Sequence, residues 1–303
     1  MRSDHGYFPT GSILRKIHRE RMVGLMYGQR ALAIGAIDPR NFVGTRIHTS
    51  SPSRPFHRLV VTAKMFEAIF FGSKLEADRV LAAVHGMHSK VRGVLPETAG
   101  PMPAGTPYSA LDAEQMLWTI APAADSAVYF YELFVRELTA TERDSFWADY
   151  VRFGELFGMD PAVTPGTWLD FRKFFDAKVN GPDAHLTDEA RYTGSAVMFQ
   201  IPTTRPRWPA MSVHNLLIRG SLPPRVRELY GLGWSRVDAL RMTAAVRAAR
   251  ASRPLTPRSA LRGSCVGHFD DVAEAERRII DSGKTVPGSL PPAQLPEPSA
   301  RAA

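Results

Sequence analysis

The residues best equipped for chemistry are two histidines three positions apart, His85 and His88, and an arginine–threonine pair one helical turn apart, Arg58 and Thr62. A neutral imidazole binds a metal ion or a haem iron through one ring nitrogen. An arginine at a pocket edge grips a carboxylate in a forked geometry. A threonine hydroxyl either donates to a ligand oxygen or returns to the carbonyl one turn back. Two multi-ligand metal sites are excluded by spacing. The chain has no Glu-x-x-His repeat for a di-iron bundle and no His-Glu-x-x-His for a zinc protease. Its single cysteine, Cys265, excludes an intrachain disulfide and a cysteine-cluster metal site, and reads as an ordinary thiol. Two roles stay open to His88. It is either a core histidine whose ring nitrogens find partners, or the single axial ligand of a flat cofactor.

These residues must be positioned by helices. Ser73 and Glu76 make a capping box, in which each side chain satisfies an orphan N–H of the other's backbone. Lys90 and Arg92 suit the negative end of the dipole, and Gly93 is expected to supply a left-handed stop. A helix is therefore predicted over 74–92. Ala77, Leu81, Val84 and Val91 form its apolar stripe, and His88 falls on that stripe. Arg58 and Thr62 share a face of the preceding predicted helix, 56–71. Thr139 and Glu142 make a second capping box on a helix closed by Gly158. Asp112 caps a long helix reaching about Glu137 and bent at Pro122. Thr164 with Pro165 reads as an N-cap followed by proline at the first helical position. Further helices are predicted near 12–35, 187–197, 210–219, 224–230, 235–250 and 271–282. Alternating β-branched runs are few and no Asn-Gly hairpin signal occurs, so the class is all-α, a multi-helix single domain.

The 303 residues are 44% hydrophobic and 22% charged, an ordinary globular composition. The expected organisation is a flexible N-terminus at 1–11, a helical domain at 12–283 and a disordered Pro-rich tail at 284–303, with Pro96–Pro107 as a surface loop. The longest apolar stretch, Met116–Val135, is interrupted by Pro122, Asp125 and Glu132, which makes it a core helix rather than a membrane span. With no secretory pattern at the start, the expected location is cytoplasmic. The net charge is +8. Between Arg205 and Arg262 lie twelve Arg, no Lys and only Glu228 and Asp238 as acids. Such a segment can meet a phosphate, an anionic surface, a carboxylate ligand or the protein's own acids. It carries no recognition-helix signature, so the nucleic-acid signal is weak.

The stretch HRLVVTAKMFEAIFFGSKLEADRVLAAVHGMHSKVRG (His57–Gly93) resembles the R-L-x-x-T helix, F-G-S turn and H-x-x-V-x-G helix end of the MpaB-type and rubber (latex-clearing) oxygenases. The likeness extends to Gly28–Gly44, Tyr108–Ser126, Leu138–Met159 and Ser221–Ser235. It implies an all-helical fold with a globin-like core. His88 would then be the axial ligand of a b-type haem, with Arg58 and Thr62 in the distal pocket and His85 a flanking residue. Three positions depart from the family. Val61 stands where some members have Lys, Ile120 replaces the His of a W-x-H motif, and Asp38-Pro39 replaces His-Pro.

The resemblance implies a haem-dependent oxidoreductase of oxygenase type. It would use dioxygen on a hydrophobic, isoprenoid-like substrate. Met65, Phe66, Phe70 and Phe130 are expected either to line the substrate cavity or to fill the core. Arginines of the 205–262 segment would screen haem propionates. The departures at Val61 and Ile120 keep a non-enzymatic haem-binding or redox-sensing role open. The positive segment keeps an anionic-surface or nucleic-acid binder as a third reading.

Overall fold

A computed structural model describes residues 6–204 and 208–293. Among them are fourteen α-helices and one two-stranded ribbon. In order these are α1 (Ile13–His18), α2 (Arg21–Gly35), α3 (Pro39–His48), α4 (Pro55–Phe71), α5 (Lys74–His88), β1 (Arg92–Val94), β2 (Pro107–Ser109), α6 (Ala113–Phe134), α7 (Ala140–Leu156), α8 (Trp168–Asn180), α9 (Asp188–Phe199), α10 (Trp208–Ser221), α11 (Pro224–Leu229), α12 (Arg236–Ser252), α13 (Arg258–Leu261) and α14 (Val266–Asp281). The class is all-α, as expected.

The core is organised around α6, which packs along α2 and also against α1, α7 and α12. Sixteen of its residues are buried, polar Gln115, Asp125 and Ser126 among them. Asp125 is neutralised inside the core. Arg30 Nη1 donates to its Oδ2 at 2.6 Å and to Ser126 Oγ at 2.8 Å, Arg30 Nε donates to the Ser221 carbonyl at 2.9 Å, and Arg172 pairs with the other carboxylate oxygen. Removing both charges from water is repaid only because nearly every donor finds an acceptor.

Several boundaries differ from expectation, each for a local reason. The helix predicted over 12–35 is two helices, because Glu20 is drawn into a buried ion pair with Arg253 and Arg262 at 2.6 and 2.7 Å. The helix carrying His88 ends there rather than at 92. Gly93 does not adopt a left-handed φ and instead pairs with Tyr108 in the antiparallel ribbon, where a Cβ would meet the Tyr108 hydroxyl at 2.8 Å. Thr164–Pro165 does not start α8. Thr167 does, accepting from Asp170 N at 3.1 Å. Gly158 closes α7 as expected, with φ +89°. The Pro96–Pro107 loop joins the ribbon strands and buries Leu95, Ala99 and Met102 in a small satellite core with Tyr108.

Both ends of the domain are more ordered than their composition suggests. Residues 1–5 lie outside the described part. Phe8, inside the segment expected to be flexible, is buried and packs edge-on to Phe70. The segment expected to lack structure from 284 continues as a strap. Its Val286 is buried, the Gly288 carbonyl accepts from Thr193 Oγ1 at 3.1 Å, Leu290 N donates to the Pro52 carbonyl at 3.2 Å, and the Pro291 carbonyl accepts from Arg46. The remaining tail residues, 294–303, lie outside the described part. What holds the strap is hydrogen bonding of its backbone to side chains of α3 and α9 and to the backbone of the α3–α4 connection, which needs few apolar side chains.

Candidate functional site

Helices α4 and α5 form a hairpin through Gly72-Ser73 and pack on one another. The connection is tight, and a Cβ on Gly72 would lie 2.4 Å from the Ala68 carbonyl oxygen. The Ser73–Glu76 capping box is complete in both directions and starts α5. The start of α4 is held differently. Arg54 offers no cap; instead Glu276 of α14 reaches across, accepting from Phe56 N and His57 N at 2.9 Å each. That carboxylate is buried, which raises its pKa, while the two N–H groups and Arg54 work to lower it.

The hairpin brings the sequence-predicted residues to one end. Arg58 and His88 each lie about 20 Å of helix from the connection, at a rise of 1.5 Å per residue, and Thr62 is one turn nearer to it. Ala77, Leu81 and Val84 are buried as the stripe predicted. His88 continues the stripe at the rim, half-buried, its ring 6.3 Å from that of Phe157 at the end of α7. His85 faces solvent. Among the described residues no group hydrogen-bonds either ring nitrogen of His88, whereas His18 pairs with Tyr150 at 2.9 Å and His48 with Tyr108 at 3.2 Å. Burial, and secondarily the neighbouring His85, pushes the His88 pKa down. It is therefore a neutral imidazole at neutral pH, the form that binds a metal.

Arg58 and Thr62 also lack partners among the described residues. Thr62 is exposed and its hydroxyl is not folded back onto the helix, unlike that of Thr119, which donates to the Gln115 carbonyl at 2.8 Å. Arg58 is half-buried and meets no carboxylate. Burial lowers its pKa, and the charge of Arg46 lowers it further. Arg46, which sequence reasoning did not single out, is a buried cation on the last turn of α3. Its Nε and Nη1 hydrogen-bond to nothing. Met65 and Phe66 extend the Arg58–Thr62 side of α4 as half-buried apolar groups, while Phe70 and Phe130 are core residues and line no open space.

The departures have local explanations. Asp38 caps α3, accepting from Arg40 N at 3.0 Å, and pairs with Arg40 and Lys178. Burial alone would raise its pKa, but the Arg40 bond and the two cations hold it below the usual range. Ile120 is buried in the α6–α7 seam against Gly154. Val61 is half-buried on α4. Among the described residues no cluster of three His, Cys, Asp or Glu gathers to hold a free metal ion. A larger groove of about 700 Å³, lined by Phe199, Val213, Leu216, Leu232 and Arg241 among others, runs between α10 and α12, away from the hairpin.

The arginine-rich segment is mostly spent inside the molecule. Arg205 and Arg207 lie outside the described residues. Of the ten that remain, Arg219, Arg225, Arg253 and Arg262 pair with acids. Arg227 donates to the Leu222 carbonyl, and Arg250 donates to the Leu133 and Glu132 carbonyls at the C-terminal end of α6. The last two neutralise helix ends and a turn.

The family described as "ER-bound oxygenase mpaB/B'/Rubber oxygenase, catalytic domain" matches residues 15–251. The chain belongs to this family. The match contains the whole α4–α5 hairpin and α3 with Arg46, and stops short of α14 and the strap. Nothing matches among curated proteins or among solved structures. No described helix is long and apolar enough to cross a membrane.

Proposed function

We propose that this member of the mpaB/rubber oxygenase family is a haem-dependent oxidoreductase, with His88 as the axial ligand of haem b and a hydrophobic, isoprenoid-type substrate, acting in the cytoplasm. The observation that supports the reading is that the residues matching the family's haem-site positions, a half-buried imidazole, a guanidinium and a hydroxyl, all lie in the half of one hairpin remote from its connection, with no side-chain partner among the described residues. The fit to the cofactor is chemical. One imidazole suffices for one axial bond, and a guanidinium such as that of Arg58, which meets no carboxylate among the described residues, suits a carboxylate of a haem.

A bound haem would supply the redox chemistry with dioxygen. The chain's own residues do the rest. His88 holds its ring nitrogen free of a proton at neutral pH. Arg58 offers a fork of donors to a carboxylate or to negative charge developing on oxygen. Thr62, one turn along the same helix, offers an exposed hydroxyl as a further donor. Met65 gives that side of α4 an apolar surface that favours a hydrocarbon substrate and excludes water, backed by Phe66, which packs on Tyr27, Phe70 and Phe153. The absence of a lysine at 61 and a histidine at 120 favours a second reading, a haem-binding or redox-sensing protein without turnover.

The test is a pyridine haemochrome assay on protein produced with ample iron and aminolevulinate. Wild type and His85→Ala are expected to carry equal haem, and His88→Ala at least tenfold less. Equal haem in His88→Ala removes the ligand assignment. Oxygen consumption with a polyisoprene or terpenoid, together with carbonyl products, then separates the enzyme from the carrier.

A further inference from the structure

Four arginines of the 205–262 segment remain once its internal contacts are assigned. Arg236, Arg241, Arg247 and Arg258 are exposed, and none makes an ion pair or a side-chain hydrogen bond among the described residues. Arg241 lies near Asp238, but that acid, the only one on α12, is held by Arg219 at 2.9 Å and by the Ser235 cap. Three of the four stand on α12, a helix with no buried residue. Its two sides are distinct. Met242, Val246 and Ala249 pack on the core. On the opposite side Val237, Leu240, Ala244 and Ala251 are exposed and fall within an arc of about 60° at 3.6 residues per turn. By the same spacing Arg236 and Arg247 flank this stripe on one side and Arg241 on the other. Leu240 is 71% exposed, and Leu255, just past the helix end, is 88% exposed. Ala244 and Arg241 also line the apolar groove between α10 and α12, so the groove opens beside the stripe.

An apolar stripe turned to water is unfavourable, and the cations on both its edges narrow what can cover it. A bilayer surface offers an apolar layer to the stripe and phosphates to the arginines, whose stems reach outward from it. Duplex nucleic acid offers phosphates but no apolar medium for Leu240 and Leu255. A second copy of the chain would set arginine against arginine. We propose that α12, together with Leu255, is a membrane-docking face that lies in the plane of an anionic phospholipid leaflet, with the α10–α12 groove open toward the acyl chains. No helix has to cross the bilayer, and the inference is independent of the haem reading. Each exposed arginine at such a surface contributes about fivefold in affinity. The shallow insertion of Val237, Leu240 and Leu255 adds an apolar share. Neither share anchors a protein alone, so the attachment is reversible.

The test is co-sedimentation of the full-length protein with vesicles of phosphatidylcholine, either pure or with about one-third phosphatidylserine, in low and high salt. Wild type is expected to bind the mixed vesicles and to lose most of that binding in high salt or on the pure lipid. Combining Arg236→Gln, Arg241→Gln and Arg247→Gln should weaken binding by about a hundredfold, and combining Leu240→Ser with Leu255→Ser by about tenfold or more. Leu75→Ser, at an exposed leucine of α5, should bind like wild type. Because α12 buries none of its residues, these variants are expected to melt at the wild-type temperature. Absence of wild-type binding to the mixed vesicles removes the proposal. Undiminished binding by the double leucine variant also overturns it, because the stripe is then not inserted. A duplex DNA fragment bound more tightly than the mixed vesicles assigns the arginines to nucleic acid instead.

Discussion

Arg30 and Arg46 are both buried arginines, and their surroundings set out two uses for one residue type. Arg30 has a carboxylate, a hydroxyl and a carbonyl in reach and closes a core network through α2, α6 and the end of α10. Replacing it by Met leaves Asp125 in the core with only Arg172, and the expected cost is roughly 3 kcal/mol of stability, measured by urea denaturation. Arg46→Met removes a cation that has little to satisfy it, so its stability cost is expected to be well below that of Arg30→Met in the same experiment. The helices that carry His88, Arg58 and Thr62, and the family they point to, were legible in the sequence, because caps and apolar spacing mark the helices and the motif order matches the family. Arg46 was not legible. Its burial is made partly by Pro291, far along the chain, and no local pattern announces that contact.

At the level of elements, α5 carries its own instructions and α4 does not. The capping box that starts α5 is written in four consecutive residues, and substituting Ser73 by Ala is expected to cost about 1 kcal/mol by thermal or chemical unfolding. The start of α4 is completed by Glu276, so Glu276→Ala orphans two buried N–H groups and is expected to cost about 2 kcal/mol, with Arg58 less firmly placed. A clean readout is a loss of stability together with weaker haemin binding, whereas Ser73→Ala lowers stability alone. The same distinction explains which boundaries the sequence predicted. Helices started by Asp112, Thr139 and Thr187 appear where their caps stand. The break at Glu20 and the ribbon at Gly93 depend on partners elsewhere. α3, which was not predicted, starts from a local signal, the Asp38 cap with Pro39 at its first position.

Across the whole molecule, acid behaviour is set by a few buried groups. Burial lowers the His18 pKa from 6.5 to about 3, so as pH falls below 6.5 the unfolded chain takes up the proton first. Stability therefore declines between pH 6.5 and 3, at up to about 1.4 kcal/mol per pH unit from this group. Asp149 opposes it over part of the range. Burial raises its pKa to about 6 against a bond from Leu14 N, so the folded state takes the proton first between pH 6 and 3.8 and gains stability as pH falls. Melting temperatures should accordingly fall more steeply on acidification in Asp149→Asn than in wild type, and less steeply in His18→Phe; parallel curves for all three would remove the assignment. The strap has a consequence of another kind. Arg46 and Arg58 line a small cavity beneath it, and every helix that walls this cavity is synthesised before residues 286–291 leave the ribosome. The segment that closes this cavity is thus made after all of the helices that wall it, so removing residues 286–291 would open the cavity without deleting any of those helices.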